Sequence, residues 1–315
     1  MADAPVIAAH GLSREFGSFT AVRDFDLEVA RGEVFGLLGA NGAGKTTAIR
    51  MLCGTLPPTR GRVEVAGVDM VRRPRRARSR IGYVTQRFTL YGELSVTENL
   101  RLQAGLYGVT GALRQERIAQ GLRRFDLTGD ADERAARLPL GYQRRLAVAA
   151  ALLHQPDVLF LDEPTSGIDP LARQQLWELV YGLAAGGMGV LVTTHHMDEA
   201  LFCDRLALMD RGRLIASGTP EELLARPLAA PPIEVHGGDD AACAAWLARQ
   251  PDVREVLPRA GRARVRLRAG VAADEWAGRA IAEAAASGLA LSIDTAAAAE
   301  LEDVFVALLE AEAPQ

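Results

Sequence analysis

Gly39-Ala40-Asn41-Gly42-Ala43-Gly44-Lys45-Thr46 is the stretch that decides the fold. It fits G-x-x-x-x-G-K-[ST], follows the apolar run Val34-Phe35-Gly36-Leu37-Leu38, and opens into a helical pattern. Strand, glycine-rich loop and helix in that order make a phosphate cradle. Glycines let backbone amides curl around phosphate oxygens without Cβ clashes, and the helix start adds the positive end of its dipole. Lys45 is a mobile point charge able to reach the β- and γ-phosphates, and the Thr46 hydroxyl can ligate Mg²⁺. Gly39, Asn41, Gly42, Ala43, Gly44, Lys45, Thr46 and Thr47 are the expected contacts of a bound nucleoside triphosphate.

Lys45 is also the only lysine among 36 basic residues, the other 35 being arginine. Any mechanism that needs two lysines is therefore excluded. The N-K-x-D guanine reader of Ras-type GTPases is among them, because Lys45 is already engaged. Arginine could not replace it, since a planar guanidinium is too bulky for a cradle that takes a compact ammonium.

The rest of the 315-residue composition is that of an ordinary globular chain of about two domains, with 49% hydrophobic and 24% charged residues. A net charge of −4 offers no global field towards nucleic acid or an anionic membrane. Cys53, Cys203 and Cys243 are far apart, which argues against a zinc site or disulfide framework and fits a reducing compartment. The longest apolar stretch, 146–153, is too short to cross a bilayer, and Met1-Ala2-Asp3-Ala4-Pro5 lacks the basic region of a signal peptide. If the protein works at a membrane, a partner is expected to supply the span.

Outward from the cradle, the apolar runs 34–38, 158–161 and 190–193 are nearly continuous, as parallel strands buried on both faces should be. Helical patterns between them predict an α/β sheet with crossovers. Residues 5–30 and 62–70 alternate like short antiparallel strands, and 95–127 read as an inserted, mainly helical segment. Thr219-Pro220-Glu221-Glu222 carries a helix start. Alanine density then changes: 27 occur in residues 1–224 and 27 in the 91 that follow. The prolines of 226–232 mark a linker. Strands and helices beyond it follow the order β-α-β-β-α-β, a small α+β ferredoxin-like unit with a last helix at 301–309. Three segments result: 1–225, a linker at 226–232, and 233–315.

Val158-Leu159-Phe160-Leu161-Asp162-Glu163 is an apolar strand ending in two acids. Asp162 would arrive at the sheet mouth, where it can hold Mg²⁺ through water, and Glu163 can polarise an attacking water as general base. Leu161-Asp162-Glu163-Pro164-Thr165-Ser166-Gly167-Ile168-Asp169 resembles the Walker B and D-loop region of ATP-binding-cassette (ABC) ATPases. Thr193-Thr194-His195 resembles their switch histidine and Tyr83-Val84-Thr85-Gln86 their Q-loop, in the family's order. The resemblance covers about residues 5–225.

It implies a P-loop NTPase (RecA-like) core with an antiparallel β flank, and a helical insert at about 87–140 that grips a permease. Phe16, in Arg14-Glu15-Phe16-Gly17, would stack on adenine; Gln86 would ligate Mg²⁺ or the lytic water; His195 would bond the γ-phosphate; Asp169 would contact an opposing subunit. One motif departs. Where the family carries L-S-G-G-Q, this chain has Leu138-Pro139-Leu140-Gly141-Tyr142, losing a serine donor to the partner's γ-phosphate but keeping the Gly141 amide and a helix start.

Two further features bear on partners. The segment 72–80 carries six arginines, read as a solvated helix face because no aromatics interleave. Glu300-Leu301-Glu302-Asp303-Val304-Phe305 resembles the closing motif of the ABC-2 export branch, which includes daunorubicin-resistance-type ATPases; its apolar positions are expected to pack the tail's own core. The resemblance implies an ATP- and Mg²⁺-dependent ATPase subunit at the cytoplasmic face of a membrane. It would work as a homodimer or heterodimer with a separate permease, power export, and need no nucleic acid. The rival readings are a soluble ABC ATPase acting on ribosomes or nucleic acid, an importer subunit, and a catalytically weak heterodimer partner.

Overall fold

The computed structural model describes residues 4–228, 232–268 and 270–312. The chain divides into two compact units, the first ending at Pro220 and the second beginning at Glu221. Of the expected linker, residues 229–231 lie outside the described residues.

The first unit opens with β1 (Ile7–Phe16), β2 (Phe19–Val29), β3 (Val34–Leu38), α1 (Lys45–Leu52), β4 (Arg60–Val65), β5 (Val68–Asp69), α2 (Pro74–Arg78) and β6 (Ile81–Val84). Helices α3 (Val96–Leu106), α4 (Gly111–Arg124) and α5 (Leu140–Leu152) follow. The chain then returns to the sheet through β7 (Val158–Asp162), α6 (Pro170–Ala185), β8 (Gly189–Thr194), α7 (Met197–Ala200), β9 (Arg205–Asp210) and β10 (Arg213–Gly218).

Six strands form one sheet in the order β10-β9-β3-β8-β7-β6, parallel throughout except for β10. A second sheet, β2-β1-β4-β5, is antiparallel. The apolar runs are continuous because both faces of the parallel sheet are covered. Along β7, Val158 and Phe160 point into a core shared with α1 and the antiparallel sheet, whereas Leu159 and Leu161 point into one shared with α3, α5 and α6. Burying a side chain such as Phe160 completely contributes about 1.5–3 kcal/mol.

The helical insert starts on a capping box: Ser95 Oγ accepts from the Glu98 amide while Glu98 returns a bond to the Ser95 amide. Buried Asn99 ties the incoming chain down by donating to the carbonyls of Tyr91, Leu94 and Ser95. Helix α2 carries Arg75, Arg76 and Arg78 of the arginine run, and the others flank it; Arg72 meets Asp69 at 3.8 Å and Arg80 meets Asp157 at 3.0 Å.

Helix α8 (Pro220–Leu224) leads into β11 (Ile233–Gly237), α9 (Asp240–Leu247), β12 (Val253–Arg259), β13 (Arg262–Leu267), α10 (Ala273–Ala286), β14 (Leu291–Asp294) and α11 (Leu301–Glu312). The four strands form an antiparallel sheet in the order β12-β13-β11-β14. Ala263, Val265 and Leu267 of β13 face a core with Trp276 and Leu247. The alternate residues Arg262, Arg264 and Arg266 face the other way and pair with acids that include Glu300 and Asp303 at the start of α11. Leu301, Val304 and Phe305 of α11 are buried, apart from the cluster around Trp276 and Leu247. The charged first turn of α11 draws it to the arginine face of the sheet.

Candidate functional site

Four of the parallel strands end at one edge, and each delivers a motif there: the phosphate loop after β3, Gln86 after β6, Asp162 and Glu163 at the end of β7, and His195 after β8. Carboxyl edges of such sheets are where ligands bind. The cavity formed there measures about 520 Å³ and is lined by Asn41, Gly42, Gly44, Lys45, Thr46, Thr47, Gln86 and Glu163, with Phe19 and Ala21 from the antiparallel sheet.

Two glycines are sterically required. A Cβ on Gly39 would stand 2.3 Å from the Met209 carbonyl oxygen, so no other residue fits where β3 leaves the sheet. Gly44 has φ 108°, and its Cβ would stand 2.7 Å from the Ala21 oxygen. As the residue before α1 it also carries no side-chain cap, so the first amides of the helix face the loop without a partner of that kind.

Lys45 is 5% exposed; its ammonium donates to the carbonyls of Gly39 at 2.7 Å and Ala40 at 3.2 Å, and stands 3.8 Å from Glu163 Oε1. Burial lowers its pKa, with the charges of Glu163 and Asp162 opposing that shift. Glu163 Oε2 accepts from Gln86 Nε2 at 2.6 Å and lies 3.3 Å from His195 Nδ1, which is close but not aligned as a hydrogen bond. Glu163 itself has φ 49°, a left-handed conformation that a glutamate adopts only under constraint. The constraint is visible: its amide donates both to the Thr193 carbonyl and to Thr193 Oγ1, each at 3.1 Å.

Asp162 is held equally firmly. Thr193 Oγ1 donates to Oδ1 at 2.7 Å and the Tyr83 hydroxyl donates to Oδ2 at 3.4 Å. Burial raises the Asp162 pKa, partly offset by the Thr193 bond, and pushes the Tyr83 phenol up. Thr193 therefore positions both acids at once. In the sequence Thr193 and Tyr83 stand only as flanks of His195 and Gln86, because a side chain that serves neighbours on another strand leaves no local pattern.

The structure thus brings Lys45, Thr46, Gln86, Asp162, Glu163 and His195 together. Phe16 is not at the cavity wall; it is half-exposed with the Arg14 guanidinium 4.6 Å from its ring centre, and its register partner Phe19 lines the cavity instead. Gly141 and Asp169 also lie away from the cavity. Asp169 caps α6 by accepting from the Ala172 amide, and a Cβ on Gly141 would meet Ala172, so the two form one neighbouring surface. Pro139 provides no side-chain cap for α5, leaving the amides beside Gly141 available. His196 lies tilted against His195, with ring centres 4.1 Å apart and planes at 38°. Among the described residues no group of three or more His, Cys, Asp or Glu could hold a metal by itself, so the three cysteines make no such site.

The family model for the ABC transporter matches residues 22–166. The chain is 48% identical over 221 residues to the probable multidrug ABC transporter ATP-binding protein YbhF of Escherichia coli (strain K12), covering 70% of this chain but only 38% of that relative's length. It is 43% identical to the daunorubicin resistance ATP-binding protein DrrA3 of Streptomyces coeruleorubidus, covering 71% of each. A solved structure, the dimeric structure of a bacterial ABC transporter cassette, is similar with a TM-score of 0.62 at 25% identity, over 68% of this chain and 98% of that one. Cradle, paired acids, glutamine and histidine all sit at one sheet edge, and the chain belongs to the ABC transporter family as an ATP-binding protein with the P-loop ATPase fold.

Proposed function

We propose that the protein is the ATP-hydrolysing subunit that powers export of a substrate through a separate membrane permease. The observation that carries the reading is the convergence of Lys45, Gln86 and His195 on the one carboxylate of Glu163, beside a glycine-built cradle. Lys45 is held by loop carbonyls and by the charge of Glu163. A γ-phosphate entering the cradle offers the ammonium a stronger partner and frees Glu163 to accept a proton from water. That water attacks the γ-phosphorus, the bond to the bridging oxygen breaks, and ADP and phosphate result. His195 and the amides of the loop hold the γ-oxygens, and Gln86 orients the water between itself and Glu163.

The residues present fit Mg²⁺, which prefers hard oxygen donors. Thr46 and Gln86 bring oxygens to the cavity wall, and Asp162 lies behind them where it would act through water. When bound, the ion supplies charge neutralisation at the β- and γ-oxygens.

Two copies would close head-to-tail, each setting Gly141, the α5 amides and Asp169 against the other's ATP. Support comes from these groups lying outside their own cavity, and from the dimeric cassette with the same fold. Among the described residues no helix is long and apolar enough to cross a membrane, so the span would come from a permease that the segment 87–140 grips, with the protein at the cytoplasmic face. The names of the multidrug and daunorubicin-resistance relatives support export.

The test is phosphate release and size-exclusion chromatography of the purified protein with Mg²⁺ and ATP. Glu163→Gln should stop steady turnover yet elute as an ATP-bound dimer. Undiminished hydrolysis by that variant overturns the role given to Glu163, and a monomer in every nucleotide state overturns the two-cassette arrangement.

A further inference from the structure

Two adjacent arginines in α5 are buried in different ways. Arg145 has its charge answered: Asp126 lies at 3.1 Å, Gln175 accepts a hydrogen bond from it, and its guanidinium lies 4.8 Å from the Tyr142 ring centre. Arg144 is 5% exposed and, among the described residues, has no carboxylate partner. Its Nη1 donates to the Thr85 carbonyl at 3.2 Å, and its Nε is buried with no hydrogen-bond partner. Burial without a counter-charge lowers its pKa. A guanidinium desolvated for one backbone carbonyl lowers stability compared with an apolar side chain of similar volume, so the fold does not explain it.

The carbonyl that Arg144 holds belongs to the residue before Gln86. Gln86 in turn donates to Glu163 at 2.6 Å. A short turn keeps the segment in shape, with Thr85 Oγ1 donating to the Arg87 carbonyl at 2.7 Å. A continuous chain of contacts therefore runs from the start of α5, three residues after Gly141, through Arg144, Thr85 and Gln86 to Glu163.

We propose that Arg144 is a positioning residue that couples the Gly141 segment to Gln86, and so reports engagement of the partner's nucleotide to this chain's own Glu163. The inference rests on the two-cassette reading above. When α5 shifts on meeting a second copy, the rigid guanidinium carries the Thr85 carbonyl with it, and Gln86 moves relative to Glu163. Its departure from a stability role is what makes it testable, since removing the charge should cost the fold nothing.

The experiment uses the full chain with Arg144→Met, Arg144→Lys, Gln86→Ala and the Arg144→Met/Gln86→Ala double variant. Expected for Arg144→Met are a thermal midpoint equal to or above wild type and affinity for a fluorescent ATP analogue within about twofold, with kcat down roughly tenfold. Arg144→Lys, which keeps a donor for the Thr85 carbonyl, should recover most of that loss. The double variant should be little slower than the slower single one, because both act through one contact. Wild-type kcat in Arg144→Met, a lowered midpoint or failure to fold, or additive effects in the double variant each overturn the proposal. Glu163→Gln separates the two failures. If it never dimerises with ATP the underlying reading fails; if it dimerises while Arg144→Met turns over normally, only the role of Arg144 fails.

Discussion

In the second unit Arg264 is 3% exposed and meets Asp303 at 2.6 Å, Glu300 at 2.8 Å and Glu234 at 3.3 Å; at the strand ends Lys45 is 5% exposed and its carboxylate neighbour Glu163 stands 3.8 Å away. Both places bury a cation beside acids. The first is closed: Arg264 also donates to the Ala298 carbonyl, and Asp303 accepts from Arg266 and from the Glu300 amide. The second is open, with donors held by backbone carbonyls and a carboxylate shared among a glutamine, a histidine and a lysine. A network whose charge is answered by three carboxylates pins structure, even with Arg264 Nε left without a hydrogen-bond partner. A carboxylate shared beside a cavity can exchange partners when a ligand enters.

The sharpest test of the contrast is Glu163→Gln, which should lower kcat about 10²–10⁴-fold, the worth of a positioned general base, while leaving the urea midpoint nearly unchanged. Asp303→Ala should do the reverse. Removing one member of a buried pair typically costs about 3–5 kcal/mol, so the midpoint of the transition reporting on the second unit should fall, with intrinsic fluorescence of Trp276 as the probe. Replacing Arg264 by Met and Asp303 by Leu together should recover most of that loss. If Asp303→Ala is no worse for stability than Glu163→Gln, the distinction between the two networks collapses.

A smaller effect concerns pH. Burial holds the Asp162 carboxyl above the usual carboxylate range, so the folded chain keeps this proton longer than the unfolded one. Below the unfolded value, about 3.9, both forms are protonated and the group is neutral to stability. As pH rises through that value and then through the folded one, the unfolded chain ionises first, stability falls, and the loss persists above the folded value. Asp162→Asn keeps an acceptor for Thr193 without the charge, so it should raise the thermal midpoint at pH 7 and leave it unchanged at pH 3. A midpoint lowered at pH 7 would mean that Asp162 is a structural acid like Asp303.

The open network was legible in the sequence and the closed one was not. Lys45, Asp162 and Glu163 sit in local patterns that chemistry requires, a glycine loop and a strand ending in acids, whereas Gln86 and His195 are reached only through the family resemblance. Arg264 and Asp303 are separated by 39 residues on a strand and a helix, and no periodicity announces that they meet. The same holds for Thr193 beneath the two acids and for Arg144 against Thr85. The three apolar strand runs were readable because burial on both faces leaves no polar positions. The apolar stripe of the tail's last helix was readable too, but not that its acidic first turn meets the arginines of β13.

The least effect and the finest discrimination concern the adenine. The family resemblance points to Phe16, yet Phe19 lines the cavity; the two are register partners across the β1–β2 turn, so both rings leave the hairpin on the same side. Phe16 already carries the Arg14 guanidinium on its ring at 4.6 Å, which a stacking base would have to displace, whereas the Phe19 ring is 65% exposed. An aromatic stack contributes about 0.5–1.5 kcal/mol beyond its area burial. Phe19→Ala should therefore raise the KM for ATP several-fold with kcat unaltered, and Phe16→Ala should change it less. The opposite ranking would mean that ATP draws Phe16 out from under Arg14.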